Sequence, residues 1–184
     1  YFDDLSYKNI NLIKSDLILD CTDNLETRFL INEFCIKNKI PWIYSSAVKD
    51  SGYIFNNLPG KACLKCILKV SKAEETCEIS GVLNTITNLI ASLQVNEAIK
   101  ILTDKDPEEN LIFFNISKNR LEKIKVNKNP DCNACNKIFE YLSGKKQIVT
   151  TNDNRMTTND EILLIKGASE HNLKNIDVSF PLGK

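Results

Sequence analysis

Two pairs of cysteines are the residues in this chain with the clearest capacity for chemistry. One pair lies in GKACLKCILK and the other in NPDCNACNK, with two residues inside each pair and sixty-five (67 to 131) between the pairs. Two intervening residues allow both thiolates of a pair to turn toward one ion, and two pairs complete a tetrahedral shell with Zn–S bonds of about 2.3 Å. Buried thiols or disulfides are the alternative interpretations. We predict a structural zinc ion held by Cys63, Cys66, Cys132 and Cys135.

Composition limits the classes of function. The 184 residues are 42% hydrophobic and 26% charged, which is sufficient for one ordinary core. Because 24 basic residues balance 24 acidic ones, there is no electrostatic reason to expect nucleic acid as a partner of residues 1–142. No apolar run approaches the roughly eighteen residues of a membrane span, so no membrane partner is expected. Seven cysteines, an odd number, fit reduced thiols and a cytoplasmic location better than a disulfide framework.

The elements that must position the cysteines follow an α/β pattern. SDLILDCTDN reads as a short buried strand, and the following LETRFLINEFCIKNK has apolar residues at helical spacing. WIYSSAV, after Pro41, reads as a second buried strand. A strand, a helix and a strand within about thirty residues predict a parallel crossover unit, with Asp23 or Asn24 capping the helix.

The rest of the chain predicts a further strand, a long helix and a hairpin. The strand is GYIFNNL, the helix begins near Val82, and LIFFNI with RLEKIKVN forms the hairpin. Residues 143–160 are polar and without period, which is typical of a linker. We therefore divide the chain into a domain at 1–142, a linker at 143–160 and a short β-rich tail at 161–184.

Several segments together resemble one enzyme family. The segments DLILDCTDNLETRFLINEFC, ACLKC, CEISGVL, ASLQVNEAIKIL and NPDCNACN occur in this order. Over about residues 12–138 the chain resembles the ThiF/MoeB/HesA family, relatives of the ubiquitin-activating enzymes. The resemblance implies the carboxyl half of a Rossmann-like, mostly parallel sheet. It also implies an enzyme, typically a homodimer, that uses ATP and Mg to adenylate the C-terminal glycine of a ubiquitin-like sulfur-carrier protein.

The resemblance also assigns roles to individual residues. It implies that Asp23 and Asn24, in the TDN turn, help to place the magnesium–nucleotide, whereas their spacing alone favours a plain helix cap. Arg28 belongs to the same motif, or is simply a solvated or packed side chain. Cys77 matches a position where relatives place a thiol that accepts the activated acyl group or sulfur, and a non-essential thiol is the alternative.

The remaining cysteines and the histidine are interpreted structurally. Cys21 and Cys35 are expected to be small core residues. His171 has no ligand cluster around it in the sequence, so a structural hydrogen bond is its expected role.

Residues 156–184 have a different resemblance, to the amino terminus of the UvrA excinuclease ATPase, most distinctively in KGASEHNLKNID. The chain begins at Tyr1, its only methionine is Met156, and it contains no G-x-G sequence. We therefore expect the end of one protein joined to the start of another, and we expect this polypeptide alone neither to bind ATP tightly nor to adenylate.

Three functions remain open from the sequence. The first is part of an adenylyltransferase for a ubiquitin-like sulfur carrier of a thiamine, molybdopterin or tRNA-thiolation type pathway. The second is a non-catalytic zinc module that binds such a carrier. The third is the start of a UvrA-type DNA-repair ATPase, if the tail defines the gene.

Overall fold

The computed structural model describes residues 4–68, 81–146, 162–168 and 176–181. The chain divides into two units, Tyr1–Ile148 and Val149–Lys184. Cys77 and His171 lie outside the described residues, so the structure does not test the roles predicted for them.

A strand–helix–strand crossover opens the first unit, after a short 3-10 helix at Ile10–Leu12. Strand β1 (Ile18–Leu19) is followed by helix α1 (Leu25–Asn38) and strand β2 (Trp42–Val48). β1 and β2 pair in parallel, as a crossover connection requires. The predicted unit is confirmed, but β1 is shorter than the apolar run suggested and is not buried as predicted, because Ile18 is half-buried and Leu19 is exposed.

Three further strands extend the sheet through antiparallel pairs. Strands β3 (Ser51–Asn57), β4 (Leu111–Asn115) and β5 (Arg120–Ile124) follow in the order β1-β2-β3-β4-β5. The prediction of a mostly parallel sheet is wrong for these strands, because the β2–β3, β3–β4 and β4–β5 pairs are all antiparallel. For two of these pairs the physical reason is a short connection: tight hairpins join β2 to β3 and β4 to β5, and short loops permit only antiparallel pairing. The long connection from β3 to β4 imposes no such restriction.

Two further helices are seen among the described residues of the first unit. The short helix α2 (Leu64–Ile67) begins directly after Cys63 and contains Cys66, and the long helix α3 (Asn84–Leu102) packs on the sheet. A Cβ atom at Gly52 would collide with the side chain of Ile90, so this glycine permits the close approach of α3 to β3.

The sheet is covered on both faces by different helices. Alternate strand residues point to opposite faces, and they sort into two buried clusters. Trp42 and Phe55 pack with the α1 residues Phe29 and Leu30. Ile43, Ile54 and Ile112 pack instead with Ile86 and Ile90 of α3. The layers are therefore α1, sheet and α3.

The second unit contains an antiparallel pair of strands, β6 (Ile162–Ala168) and β7 (Ile176–Pro181). An irregularity in their register falls between Ile165 and Ala168. Within the described part of the chain, no helix combines the length and the apolar character needed to cross a membrane.

Candidate metal centre and strand-end turn

The four predicted cysteine ligands lie together, with their Sγ atoms within 4.8 Å of one another. The Sγ atom of Cys63 is 3.8 Å from that of Cys66, 3.6 Å from that of Cys132 and 3.5 Å from that of Cys135. Four thiolates at Zn–S distances of about 2.3 Å in a tetrahedron lie about 3.8 Å apart. The spacing therefore fits one tetrahedral metal ion. It does not fit disulfides, whose sulfur atoms are bonded at about 2.05 Å.

Each pair reaches the centre from a short turn. Cys63 precedes the first residue of α2 and Cys66 lies inside that helix, while Cys132 and Cys135 lie in the turns after β5. Ala134 is fully buried beside the sulfur atoms. The four thiols account for a complete tetrahedral shell, which is typical of a structural rather than a catalytic metal site.

The electrostatics of the four thiols also fit a bound cation. Burial, followed by the neighbouring cysteine thiolates, raises the pKa of the Cys63 thiol. Burial is likewise the main cause that raises the pKa of Cys135 to about 12. Burial raises the pKa of Cys66 too, but the N–H of Asn129, 3.4 Å from its Sγ, and that of Cys63 outweigh it and lower the pKa. Four thiolates so close together need a compensating positive charge, which a divalent metal supplies.

The TDN turn lies between the carboxyl end of β1 and the start of α1. Asn24 caps α1: its Oδ1 accepts a hydrogen bond of 2.8 Å from the backbone N–H of Thr27. Asp23 is exposed, and Nδ2 of Asn24 lies 3.5 Å from its carboxylate. The capping role therefore belongs to Asn24, and the carboxylate of Asp23 faces solvent at the sheet edge where α/β proteins bind ligands.

A buried ion pair between Asp20 and Arg28 stabilises this turn. Asp20 has a fully buried side chain, and Nε of Arg28 donates a 3.0 Å hydrogen bond to its Oδ2. The backbone N–H and hydroxyl of Thr22 donate to the other oxygen, at 2.9 and 2.7 Å. Arg28 also donates to the carbonyls of Thr22 and Ser45. Arg28 is thus neither solvated nor merely packed, and the sequence interpretation missed its partner Asp20.

The strand end has a second support from α3. Nε2 of the buried Gln94 donates to the carbonyl oxygens of Asp20 at 3.0 Å and Ile43 at 3.2 Å. The hydroxyl of Ser45 donates to the same Asp20 carbonyl at 3.0 Å. These bonds connect β1, β2 and α3 at one point. Sequence reasoning missed Gln94, for which the only available indication was a polar residue on the apolar side of a long helix.

The two cysteines interpreted as core residues differ in position. Cys35 is buried, as predicted, and burial raises its pKa to about 12. Cys21 is exposed, so that prediction is wrong. The strand ends at Leu19, and Cys21 therefore lies in the turn after the strand rather than in the core.

The fold and the two sites together define an α/β protein with a polar turn at the end of its first strand and four thiols placed so that they could hold a metal ion. The chain belongs to the ThiF family, whose model matches residues 3–134. It is 32% identical over 151 residues to the sulfur carrier protein ThiS adenylyltransferase of Bacillus subtilis (strain 168), covering 78% of this chain and 45% of that protein. It is 30% identical over 129 residues to the molybdopterin-synthase adenylyltransferase of Escherichia coli (strain K12), covering 67% of this chain and 52% of that protein. These relatives are adenylyltransferases.

Solved structures support the same fold. The structure of E. coli MccB with ATP matches with a TM-score of 0.60 at 16% identity, covering 73% of this chain and 44% of that one.

A third relative by sequence, the SAMP-activating enzyme E1 of Haloferax volcanii, is 29% identical over 126 residues, covering 66% of this chain and 47% of that enzyme. The chain spans about half the length of the curated relatives it matches.

Proposed function

We propose that the protein containing this chain is an ATP-dependent adenylyltransferase that activates the C-terminal glycine of a ubiquitin-like sulfur-carrier protein. The observation that carries this proposal is the exposed carboxylate of Asp23 at the carboxyl end of β1 in a ThiF-family chain. The named activities of the relatives, on the sulfur carrier ThiS and for molybdopterin synthase, support the same class of substrate.

The proposed reaction is the transfer of the adenylyl group of ATP to a carboxylate. A carboxylate oxygen of the carrier attacks the α-phosphorus of ATP, the bond from that phosphorus to the bridging oxygen breaks, and pyrophosphate leaves. The carrier then ends in an acyl-adenylate. Magnesium, bound with the nucleotide, would neutralise phosphate charge during this step, and Asp23 is the residue we propose to hold it.

The surrounding residues have positioning roles in this proposal. Asn24 holds the first turn of α1 through its cap, which keeps the neighbouring Asp23 at the strand end. The Asp20–Arg28 pair fixes the backbone on the other side of the same turn. Asp23 is therefore an accessible carboxylate on a rigid support, as a metal–nucleotide ligand must be.

Cys77 is proposed as the acceptor in the following step. Its thiolate would attack the carbonyl carbon of the acyl-adenylate, AMP would leave, and a thioester would form. Because Cys77 lies outside the described residues, this role rests on the CEISGVL segment of the sequence.

The metal centre is proposed to hold structural zinc. The four-thiolate donor set favours zinc among common divalent ions, and the closed shell has no position for a substrate.

We also propose that the protein acts as a cytoplasmic homodimer and that residues 156–184 are UvrA-like. Both proposals are based on the sequence resemblances alone.

Replacing Asp23 by asparagine tests the proposed function. The change keeps the size of the side chain but removes the charge that would hold the magnesium–nucleotide. We expect ATP–pyrophosphate exchange, measured with the carrier on the protein that contains this chain, to fall by about 100-fold, as removal of one electrostatic stabiliser does elsewhere.

Asp16→Asn is the matched control, because Asp16 is also exposed but lies before β1, at the opposite end of the strand. It should leave the exchange rate unchanged. An Asp23→Asn rate equal to that of the unsubstituted protein contradicts the proposed role of Asp23. Carrier binding without any exchange in the unsubstituted protein favours the non-catalytic zinc module instead.

A further inference from the structure

A fully buried carboxylate on α1 connects three segments. The side chain of Glu33 has no exposure to solvent. Its Oε2 accepts hydrogen bonds from the backbone N–H groups of Tyr141 at 2.8 Å and Leu142 at 2.9 Å. Its Oε1 accepts a bond of 2.8 Å from Nζ of Lys65. Glu33 therefore holds residues 140–142 against α1, and Lys65 neutralises it.

Lys65 lies inside the first cysteine pair, between Cys63 and Cys66. Its Nζ also lies 3.2 Å from Oε2 of Glu140 and 5.1 Å from the centre of the Tyr141 ring. The ammonium of Lys65 thus contacts both Glu33 on α1 and residues 140–142, the segment that Glu33 binds. The side chain can stay there only while the turn that carries it keeps its conformation.

We propose that Lys65 and Glu33 are positioning residues that couple the metal centre to residues 140–142, so that this segment is held on α1 when the metal is bound and released when it leaves. The proposal rests on the metal proposed above. It goes beyond a structural role for zinc in the ligand turns, because it assigns the metal control over a segment that supplies no ligand.

Helix α2 has only four residues. Four residues are too few for a helix to be stable without tertiary support, and a bound metal would tie Cys66, inside α2, and Cys63, just before it, to Cys132 and Cys135. Without the metal the turn can move, and Lys65 then leaves Glu33. A buried carboxylate that has lost its cation must regain water, so Glu33 can no longer hold the two backbone N–H groups.

Hydrogen exchange tests the coupling directly. The metal content of the full chain is first measured, so that absence of metal is distinguished from absence of coupling. We then expect the amides of Tyr141 and Leu142 to exchange on the order of tenfold faster or more after the metal is removed with a chelator, while the amides of β2 and β3 keep their rates.

Lys65→Met provides the decisive variant, because it keeps the side-chain stem and all four thiols but removes the ammonium. With metal bound, its Tyr141 and Leu142 amides should exchange at the rate of the metal-free unsubstituted protein. Since coupling is reciprocal, the metal affinity of this variant should fall by the same factor by which metal removal raises the exchange rate in the unsubstituted protein. The Co²⁺ spectrum should still show four thiolate ligands. Lys61→Met, at a lysine with 57% of its side chain exposed, should change neither quantity.

A purely structural role for Lys65 predicts a different result: faster exchange that still depends on the metal, and unchanged metal affinity. That result overturns the proposal. So does exchange at Tyr141 and Leu142 that metal removal does not change, or exchange that rises equally throughout β2 and β3. If Lys65→Met does not fold, the amide exchange rates of Tyr141 and Leu142 in metal-bound and metal-free unsubstituted protein still test whether the metal controls this segment.

Discussion

Replacing Cys132 by serine is expected to abolish stoichiometric metal binding and to lower the free energy of unfolding by about 4 kcal/mol, since loss of a metal is among the few single changes that exceed the ordinary range. The sulfur of Cys132 lies 3.6 Å from that of Cys63 and belongs to a closed set of four. A serine hydroxyl is a poor ligand for a thiophilic ion. The remaining three cysteines cannot complete the shell, so the turns after β5 lose their attachment to α2.

Urea denaturation monitored by Trp42 fluorescence measures this effect, because Trp42 is the only tryptophan and is 1% exposed. Metal content of the same sample gives the binding result. Cys21→Ser is the control: Cys21 is exposed and lies outside the four-cysteine set, so both quantities should stay unchanged. A Cys132→Ser protein that retains one metal ion per chain contradicts the account.

Replacing Arg28 by methionine is expected to cost about 3–5 kcal/mol of the free energy of unfolding, as breaking a buried ion pair from one side does. The carboxylate of Asp20 is fully buried, and Arg28 is only 11% exposed. Methionine keeps much of the apolar stem but leaves Asp20 with a buried charge and two carbonyls without their donor. The double variant with Asp20→Asn should cost less than the sum of the two single changes, because the unpaired charge is then absent.

Arg120→Met is the matched control for this experiment. Arg120 also pairs with a carboxylate, that of Glu122, but its side chain is 63% exposed. Exposed pairs contribute about 0–1 kcal/mol, so the control should unfold almost as the unsubstituted protein does. If Arg28→Met is no more destabilising than Arg120→Met, the buried pair does not support the strand-end turn.

The clustering of the four cysteines was predictable because each pair carries a local pattern. Two residues between the cysteines of a pair allow both thiols to face one point, and two such pairs in one chain suggest a shared ion, although only the fold brings the pairs together. The cap of α1 was predictable for the same reason, and the structure chooses Asn24 over Asp23. That choice leaves the carboxylate of Asp23 free for the proposed chemistry.

Two errors arose from extending local patterns too far. The apolar run before Cys21 suggested a longer strand, whereas only Ile18–Leu19 pairs with β2 and Cys21 emerges into the turn. The crossover unit suggested a mostly parallel sheet, but a parallel start does not determine how later strands join. The tight connection between Val48 and Ser51 decides that β3 returns antiparallel.

The buried polar residues were not predictable from spacing. Helix periodicity assumes one apolar face, whereas the α1 residues from Phe29 to Cys35 are all buried, including Glu33. The partners of Glu33 lie 32 and 108 residues away, at Lys65 and Tyr141. The backbone carbonyl of Asp20 likewise accepts a hydrogen bond from Gln94, 74 residues later. Such pairs become visible only when the fold brings the segments together.

X-ray absorption at the metal edge of the purified protein tests the central claim most directly. The account predicts one zinc ion per chain with four sulfur ligands at about 2.3 Å and no nitrogen or oxygen ligand. Protein purified without chelators that contains no transition metal, or a shell that includes light-atom ligands, contradicts it.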